Sequence, residues 1–222
     1  MKIVTYATHS EGSFEELTHN KFGVEVTVLG MGTKWNGFMD KIQGVLGYLQ
    51  TLPDDELVVF VDGFDSYIKK PLDDLKEKFK SLDCDILVSK DIPIGGYFNR
   101  KIFGTCKNDI GSNSGLYMGH CSHLKDFLYS VSKQPSSDDQ RNFNSSCKDF
   151  NRLKIDVDCV IFENVKKSKL HESTGYFVQT PGTFTPKRLL RAFQDYSQFL
   201  IPELILFFLI VYFLYLHFFT KQ

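Results

Sequence analysis

No sign of charge dominates this chain. Lys and Arg number 26 against 27 Asp and Glu, for a formal net charge of -1. Without a basic excess there is no electrostatic footprint for nucleic acid, and without an acidic run there is no signature of a solvated tail. Cysteine is sparse: Cys84, Cys106, Cys121, Cys147 and Cys159 fall without C-x-x-C spacing, which is not a zinc pattern. An odd count does not resemble a disulfide framework. Reduced thiols in a cytosolic domain are the expectation, with one or two disulfides open if the domain is lumenal. No charged stretch leading into a short apolar one precedes Lys2–Thr8, so no signal peptide is expected. Internal repeats and low-complexity tracts are missing too.

What is present is alternation. KIVTYAT (2–8) reads as a strand, SFEELTHNKF (13–22) as a short helix and VEVTVLG (24–30) as a second strand. Met39 to Leu52 places Ile42, Val45, Leu46 and Leu49 on one helical face. LVVFVD (57–62) is an apolar run ending in an acid, the pattern of a buried parallel strand. Pro71–Leu82 reads as a helix opened by proline. DILVSK and SGLYMGH are further strands, with the helix HLKDFLYSVSK after the latter and the strand VDCVIFEN late in the chain. Residues 91–111 are glycine-rich and read as irregular. This is the order of an α/β sandwich on a mainly parallel central sheet.

The C-terminal part differs. LILFFLIVYFLYLHFF (204–219) contains no acid, Lys or Arg. Extended back to Phe199 it reaches the about 20 residues a membrane span requires. A buried amphipathic helix is the plainer alternative, but the segment is apolar on every face. Two domains follow as expectations: residues 1–196 as the globular part and 199–219 as a transmembrane helix. Lys187, Arg188 and Arg191 precede the span and Lys221 follows it. The positive-inside rule then places the globular part in the cytosol, as in a tail-anchored protein.

Asp62 and Asp65, on the turn leaving LVVFV, are the strongest chemical signal. Ligands of open α/β sheets bind at the carboxyl ends of strands, and two acids three positions apart there can face one hard cation, Mn²⁺ or Mg²⁺. A solvated turn is the plainer reading. Aspartate-based phosphohydrolases also place acids after a buried strand, but with a single residue between them and a Ser or Thr beyond, which is not the pattern here. Asn113-Ser114-Gly115 precedes an apolar strand; an Asn amide can donate to and accept from a sugar hydroxyl, though taken alone the motif is weak and an ordinary turn is the plainer reading. Asp138-Asp139-Gln140 reads as a polar cluster or a helix N-terminus. Trp35, the only tryptophan, lies in a polar loop and suits stacking on a base or sugar, or anchoring a core. His171 is either a further metal ligand or a surface histidine. Asn144-Ser145-Ser146 matches the glycosylation sequon, which a cytosolic domain leaves unused.

Taken together, VTYAT, VTVLGMGTKW, VVFVDGFD, SNSGLYMG, SSDDQ and IDVDCVIFEN, in this order and spacing, resemble the glycosyltransferase domain of the procollagen lysyl hydroxylases and, more loosely, the collagen galactosyltransferases. The resemblance runs over roughly residues 3–196. It implies a GT-A fold, Mn²⁺ and a UDP-sugar donor, UDP-galactose or UDP-glucose. By position it implies metal ligation by Asp62 and Asp65. It implies nucleotide contacts from Thr8, Trp35 and Phe64, with Lys41 facing the phosphates. It implies a sugar-side pocket of Asn113, Asp138 and Asp139, with Asp139 the nominee for a base if the reaction inverts. The acceptor would be a hydroxyl on protein or glycan, hydroxylysine among them. Two departures stand out. The family's third metal ligand is a His in a His-Gly-Asn-Gly loop, where this chain has Val178-Gln179-Thr180-Pro181-Gly182; Gln179 offers a carbonyl oxygen, or His171 substitutes. A Trp-Pro pair over the sugar is replaced by Ile94, Gly95, Gly96 and Tyr97. A non-catalytic, membrane-anchored nucleotide-sugar binder derived from such an enzyme remains the rival reading.

Overall fold

A computed structural model describes the chain over residues 1–92, 97–181 and 186–219. In chain order the elements are β1 (Lys2–Tyr6), α1 (Phe14–Thr18), β2 (Val26–Leu29), α2 (Met39–Leu49), β3 (Leu57–Val61), β4 (Ser66–Ile68), α3 (Leu75–Ser81) and β5 (Ile86–Lys90). There follow α4 (Tyr97–Phe103), β6 (Ser112–His120), α5 (Cys121–Ser132), α6 (Asp139–Ser146), β7 (Leu153–Asp156), β8 (Phe162–Asn164), β9 (Phe177–Gln179) and α7 (Pro186–Phe219).

The main sheet has six strands in the order β2-β1-β3-β6-β5-β7. β1 pairs in parallel with β2 and β3, and β5 in parallel with β7. β6 runs antiparallel between β3 and β5. The sheet is thus mainly parallel, as expected, with one reversed strand at its centre. β3 is buried at all five positions, because its alternate residues feed two cores. Val58 and Phe60 join Val4, Tyr117, Ile42, Val45 and Phe127 on the face covered by α2 and α5. Val59 and Val61 join Ile3, Leu17, Leu75, Phe79, Phe162 and Phe177 on the other. A strand between two apolar layers has no polar face to alternate with, and each such side chain contributes about 1.5–3 kcal/mol.

Several expectations change. Residues 97–103, inside the stretch read as irregular, form α4; positions 93–96 lie outside the described residues. Of VDCVIFEN only Phe162–Asn164 is a strand, and it belongs to a separate three-stranded sheet, β4-β9-β8. The carboxylate of Asp156 accepts from the backbone of Val160, Ile161 and Phe162 at 2.7–2.9 Å, which folds the preceding residues into a turn. Cys106 and Cys147 are joined as a disulfide, so reduced thiols describe only Cys84, Cys121 and Cys159.

Met1–Pro181 form one compact unit and Gly182–Gln222 another. The described part of the second is α7, a helix of 34 residues with Pro202 inside it. Its large apolar side chains at Ile201 and from Leu204 to Tyr215 are exposed. Among the described residues no helix is long and apolar enough to cross a membrane. The side chains at 199, 200, 203, 218 and 219 lie outside the description, and the uninterrupted run between them is shorter than the about 20 residues a span needs.

Candidate active site

The site lies where β3 ends. Asp62 follows Val61 directly, and its N–H donates to Gly115 O (2.8 Å) on β6. The chain turns through Gly63 and Phe64, and Asp65 leads into β4. β9 pairs antiparallel with β4, Ser66 opposite Gln179, and that register delivers Gln179 to the acids. Its Nε2 donates to Asp65 Oδ1 at 2.9 Å and to Asp62 Oδ2 at 3.3 Å. Gln179 is 2% exposed, and its Oε1 is buried with no hydrogen-bond partner. A Cβ at Gly115 would collide with this amide, so glycine there makes room for the Gln179 side chain.

The second charged group comes from α2. Lys41 sits on the helix flank that buries Ile42 and Val45, and its ammonium reaches Asp139 Oδ2 at 2.6 Å and Asp62 Oδ2 at 3.7 Å. Burial pulls its pKa down, but Asp139 and Asp62 more than offset this and hold it above its ordinary value. Ser114 Oγ donates to the same Asp139 oxygen at 2.6 Å. Asp138 caps α6, accepting from Arg141 N at 2.7 Å, as an acid at a helix N-terminus does. Asn113 accepts from Gly115 N at 2.7 Å through Oδ1. Below lies Tyr117, whose buried hydroxyl has no partner; burial, then Asp139 and Asp62, push its phenol well above the ordinary range.

The structure therefore gathers Asp62, Asp65, Gln179, Lys41, Asp139 and Asn113 into connected contacts. Thr8 follows β1, its carbonyl accepting from Gly32 N at 2.9 Å. Trp35 is 40% exposed and packs on Tyr6 and Phe38 with ring centroids 6.1 and 6.0 Å away. Phe64 faces His9, with centroids 5.1 Å apart. His171 is not brought in. It lies on an exposed 3-10 turn (Lys167–Glu172) beside Glu172 at 3.6 Å, and among the described residues no three His, Cys, Asp or Glu side chains gather to hold a metal. Ile94, Gly95, Gly96 and Gly182 lie outside the described residues. Asn144 is 1% exposed and bonded to Ser112, so the folded domain cannot carry a glycan there.

Asp91 was not singled out from the sequence. It follows β5 as Asp62 follows β3, with its N–H on Gly111 O at 2.9 Å. Burial raises its carboxyl from 3.8 to about 6, against the lowering effect of hydrogen bonds from Ile92 N, Gln140 and Asn113. An acid after an apolar strand was the available signal, but DILVSK ends in Lys90, which reads as the solvated end of the strand.

The donor set at Asp62, Asp65 and Gln179 fits a hard divalent cation. It consists of two carboxylates and the Gln179 amide, which here turns its Nε2 to both acids; a flip about the last side-chain bond would bring its unpartnered oxygen to the pair as a third oxygen ligand.

A Drosophila melanogaster procollagen-lysine,2-oxoglutarate 5-dioxygenase is 24% identical over 189 residues, covering 76% of this chain and 26% of that protein. The chain thus spans about a quarter of that relative's length. In fold it is similar to the galactosyltransferase LgtC solved with donor and acceptor sugar analogues, at TM-score 0.51 and 11% identity over 84% of this chain and 89% of that one. It is likewise similar to a glycosyltransferase involved in glycosylation of the major capsid of PBCV-1, at TM-score 0.54 and 14% identity over 84% and 95%. The sequence profile described as the PLOD GT domain matches residues 1–174. Because that match takes in β1 to β8 and both acids of the turn after β3, the chain belongs to the PLOD GT domain family of glycosyltransferase domains.

Proposed function

We propose that the chain transfers a hexose, galactose or glucose, from a UDP-sugar to a hydroxyl on protein or glycan, with Mn²⁺ or Mg²⁺ held by Asp62, Asp65 and Gln179. The observation that carries this reading is the carboxylate pair at the end of a wholly buried strand, capped by an amide with an orphaned oxygen. When bound, the cation supplies Lewis-acid neutralisation of the leaving diphosphate. Thr8, Trp35 and Phe64 hold the nucleotide. Lys41 fixes Asp139 and adds positive charge beside Asp62. Asn113, Asp138 and Asp139 line the sugar side, where orientation of the acceptor hydroxyl supplies the rest. The described contacts of Asp139 with Lys41 and Ser114 both use Oδ2, which leaves Oδ1 to meet a substrate hydroxyl. The test is UDP release from UDP-galactose and UDP-glucose with Mn²⁺, with and without chelator. No release with either donor overturns the reading.

One observation favours a non-catalytic binder instead. Lys41 stands beside Asp62, and the Gln179 amide already donates to both acids, so the pair has partners without a cation. UDP-sugar binding that persists in chelator without turnover would select that reading.

The proposal includes anchoring to a membrane through 199–219, for which the exposed apolar side chains from Leu204 to Tyr215 are the support. Lys187, Arg188 and Arg191 argue for a cytosolic domain, whereas the Cys106–Cys147 disulfide needs an oxidising compartment. Protease protection on sealed membranes decides between them: digestion before detergent means cytosolic, protection means lumenal.

A further inference from the structure

Along one side of α6 runs a row of ties to a single stretch of chain. Arg141, Asn144 and Cys147 stand three positions apart, which aligns them on a helix. The Arg141 guanidinium donates to Ile102 O at 2.6 Å and Lys101 O at 3.3 Å. Asn144 Oδ1 accepts from Ser112 N at 2.8 Å and Ser112 Oγ at 3.0 Å, and its Nδ2 donates to Ser112 O at 3.3 Å. Cys147 is bonded to Cys106. All three therefore hold the segment that leads from α4 into β6.

The point of attachment matters because the ladder fails just beyond it. β5 and β6 pair regularly at Val88 opposite Tyr117 and again at Ser89 opposite Asn113, with a register shift between. The residues of β6 skipped by that shift, Ser114 to Leu116, have no partner on β5, and they include Ser114 and Gly115 of the site. A bulge re-aims side chains and loosens the strand. On the far side of it, Asn144 takes up the donor, acceptor and hydroxyl of Ser112 together. Ser114 then returns to α6 through Asp139, closing a loop around the sugar-side residues.

We propose that Asn144 is a positioning residue: through Ser112 it sets the place of Asn113 and Ser114, and so the recognition of the donor's sugar, with Arg141 and the disulfide as outer ties of the same strap. The inference rests on the UDP-sugar reading. Of the nucleotide side, Thr8 after β1 and Trp35 in the loop after β2 make no described contact with Arg141, Asn144 or Ser112, and Lys41 meets α6 at Asp139 rather than at Asn144, so the two halves of a donor should respond differently.

The experiment is calorimetric binding of UDP, UDP-glucose and UDP-galactose with Mn²⁺ to the full chain in detergent. Wild type should bind one UDP-sugar more tightly than UDP. Asn144→Ala should weaken that UDP-sugar about tenfold, the scale of one to two lost buried hydrogen bonds, and leave UDP within about twofold. Asn144→Asp, which keeps the bonds to Ser112 N and Oγ, should lose about threefold. If Asn144→Ala does not fold, Ser112→Ala removes only the hydroxyl contact and should show the same selective loss at about threefold. Equal losses for UDP and UDP-sugar, or no loss in any of these variants, would overturn the positioning role. A wild-type chain that binds no uridine nucleotide overturns the proposed function itself, and the inference falls with it.

Discussion

At the carboxyl end of β3, Lys41 and Asp139 meet with side chains 9% and 5% exposed. At its amino end Arg152 meets Asp83 and Asp85, and the arginine side chain is 56% exposed. That amino end also holds a cavity of about 710 Å³, lined among others by Met1, Glu56, Lys76, Lys80, Cys84 and Arg152. The two ends are both charged. Yet only at the carboxyl end are charges removed from water, shared between partners and set beside orphaned polar atoms. Charges in water cost folding little and do little. Buried ones are kept at a cost, and such places are where function concentrates.

The sharpest way to break this comparison is to remove the acids. Asp62→Ala or Asp65→Ala should weaken Mn²⁺-dependent UDP binding about a hundredfold or more, since a ligand's loss exceeds the 10–100-fold typical of its supporting shell. Circular dichroism should remain that of the parent. Unchanged affinity in both variants removes the metal assignment.

Next comes Lys41→Met, which leaves Asp139 and Asp62 without their buried cation. Removing one partner of a buried pair costs about 3–5 kcal/mol, read as a lower midpoint in urea. Arg152→Ala at the other end should leave the midpoint where it was. Similar effects at the two ends would erase the distinction drawn above.

Asp91 sharpens it further. Its carboxyl stands at about 6 in the folded chain against an ordinary 3.8, so the folded state holds the extra proton between those values. Its contribution to stability is full below about pH 4 and is lost as pH rises through about 6. The rise corresponds to roughly 3 kcal/mol. Asp91→Asn should flatten the stability profile between pH 4 and 7, measured by urea midpoints. A wild-type profile that is already flat there contradicts this.

The smallest expected effect is on binding when α7 is cut. A chain ending at Gln198 should bind UDP as the full chain does in detergent, because every site residue lies before Gly182. It should also stay dispersed without detergent, once the exposed apolar surface is gone. Recovery of the full chain as a detergent-free monomer would rule out the anchor, and lost UDP binding on truncation would make α7 part of the site's support.

Much of this was legible beforehand. LVVFV announces a buried strand because both its faces are apolar, and the acid after it announces the end where ligands bind. β9 and β4 were not legible: at three residues each they are too short to show a period, and they exist because they pair with one another. Asp91 was hidden behind Lys90, and Asn144 stood out only as part of a sequon. The disulfide joins residues 41 positions apart, a distance at which spacing carries no information about pairing.

The sequence by itself determined the α/β order, the buried centre of the sheet, the carboxylate pair and the apolar C-terminal run. These follow from periodicity and from neighbours along the chain. Only the tertiary structure decided that Lys41 pairs with Asp139, that Gln179 caps Asp62 and Asp65, that β6 runs reversed, and that α6 ties down the strand beside the site. Each of these joins groups far apart in sequence, and burial sets its strength, which depends on what the folded chain lays over it.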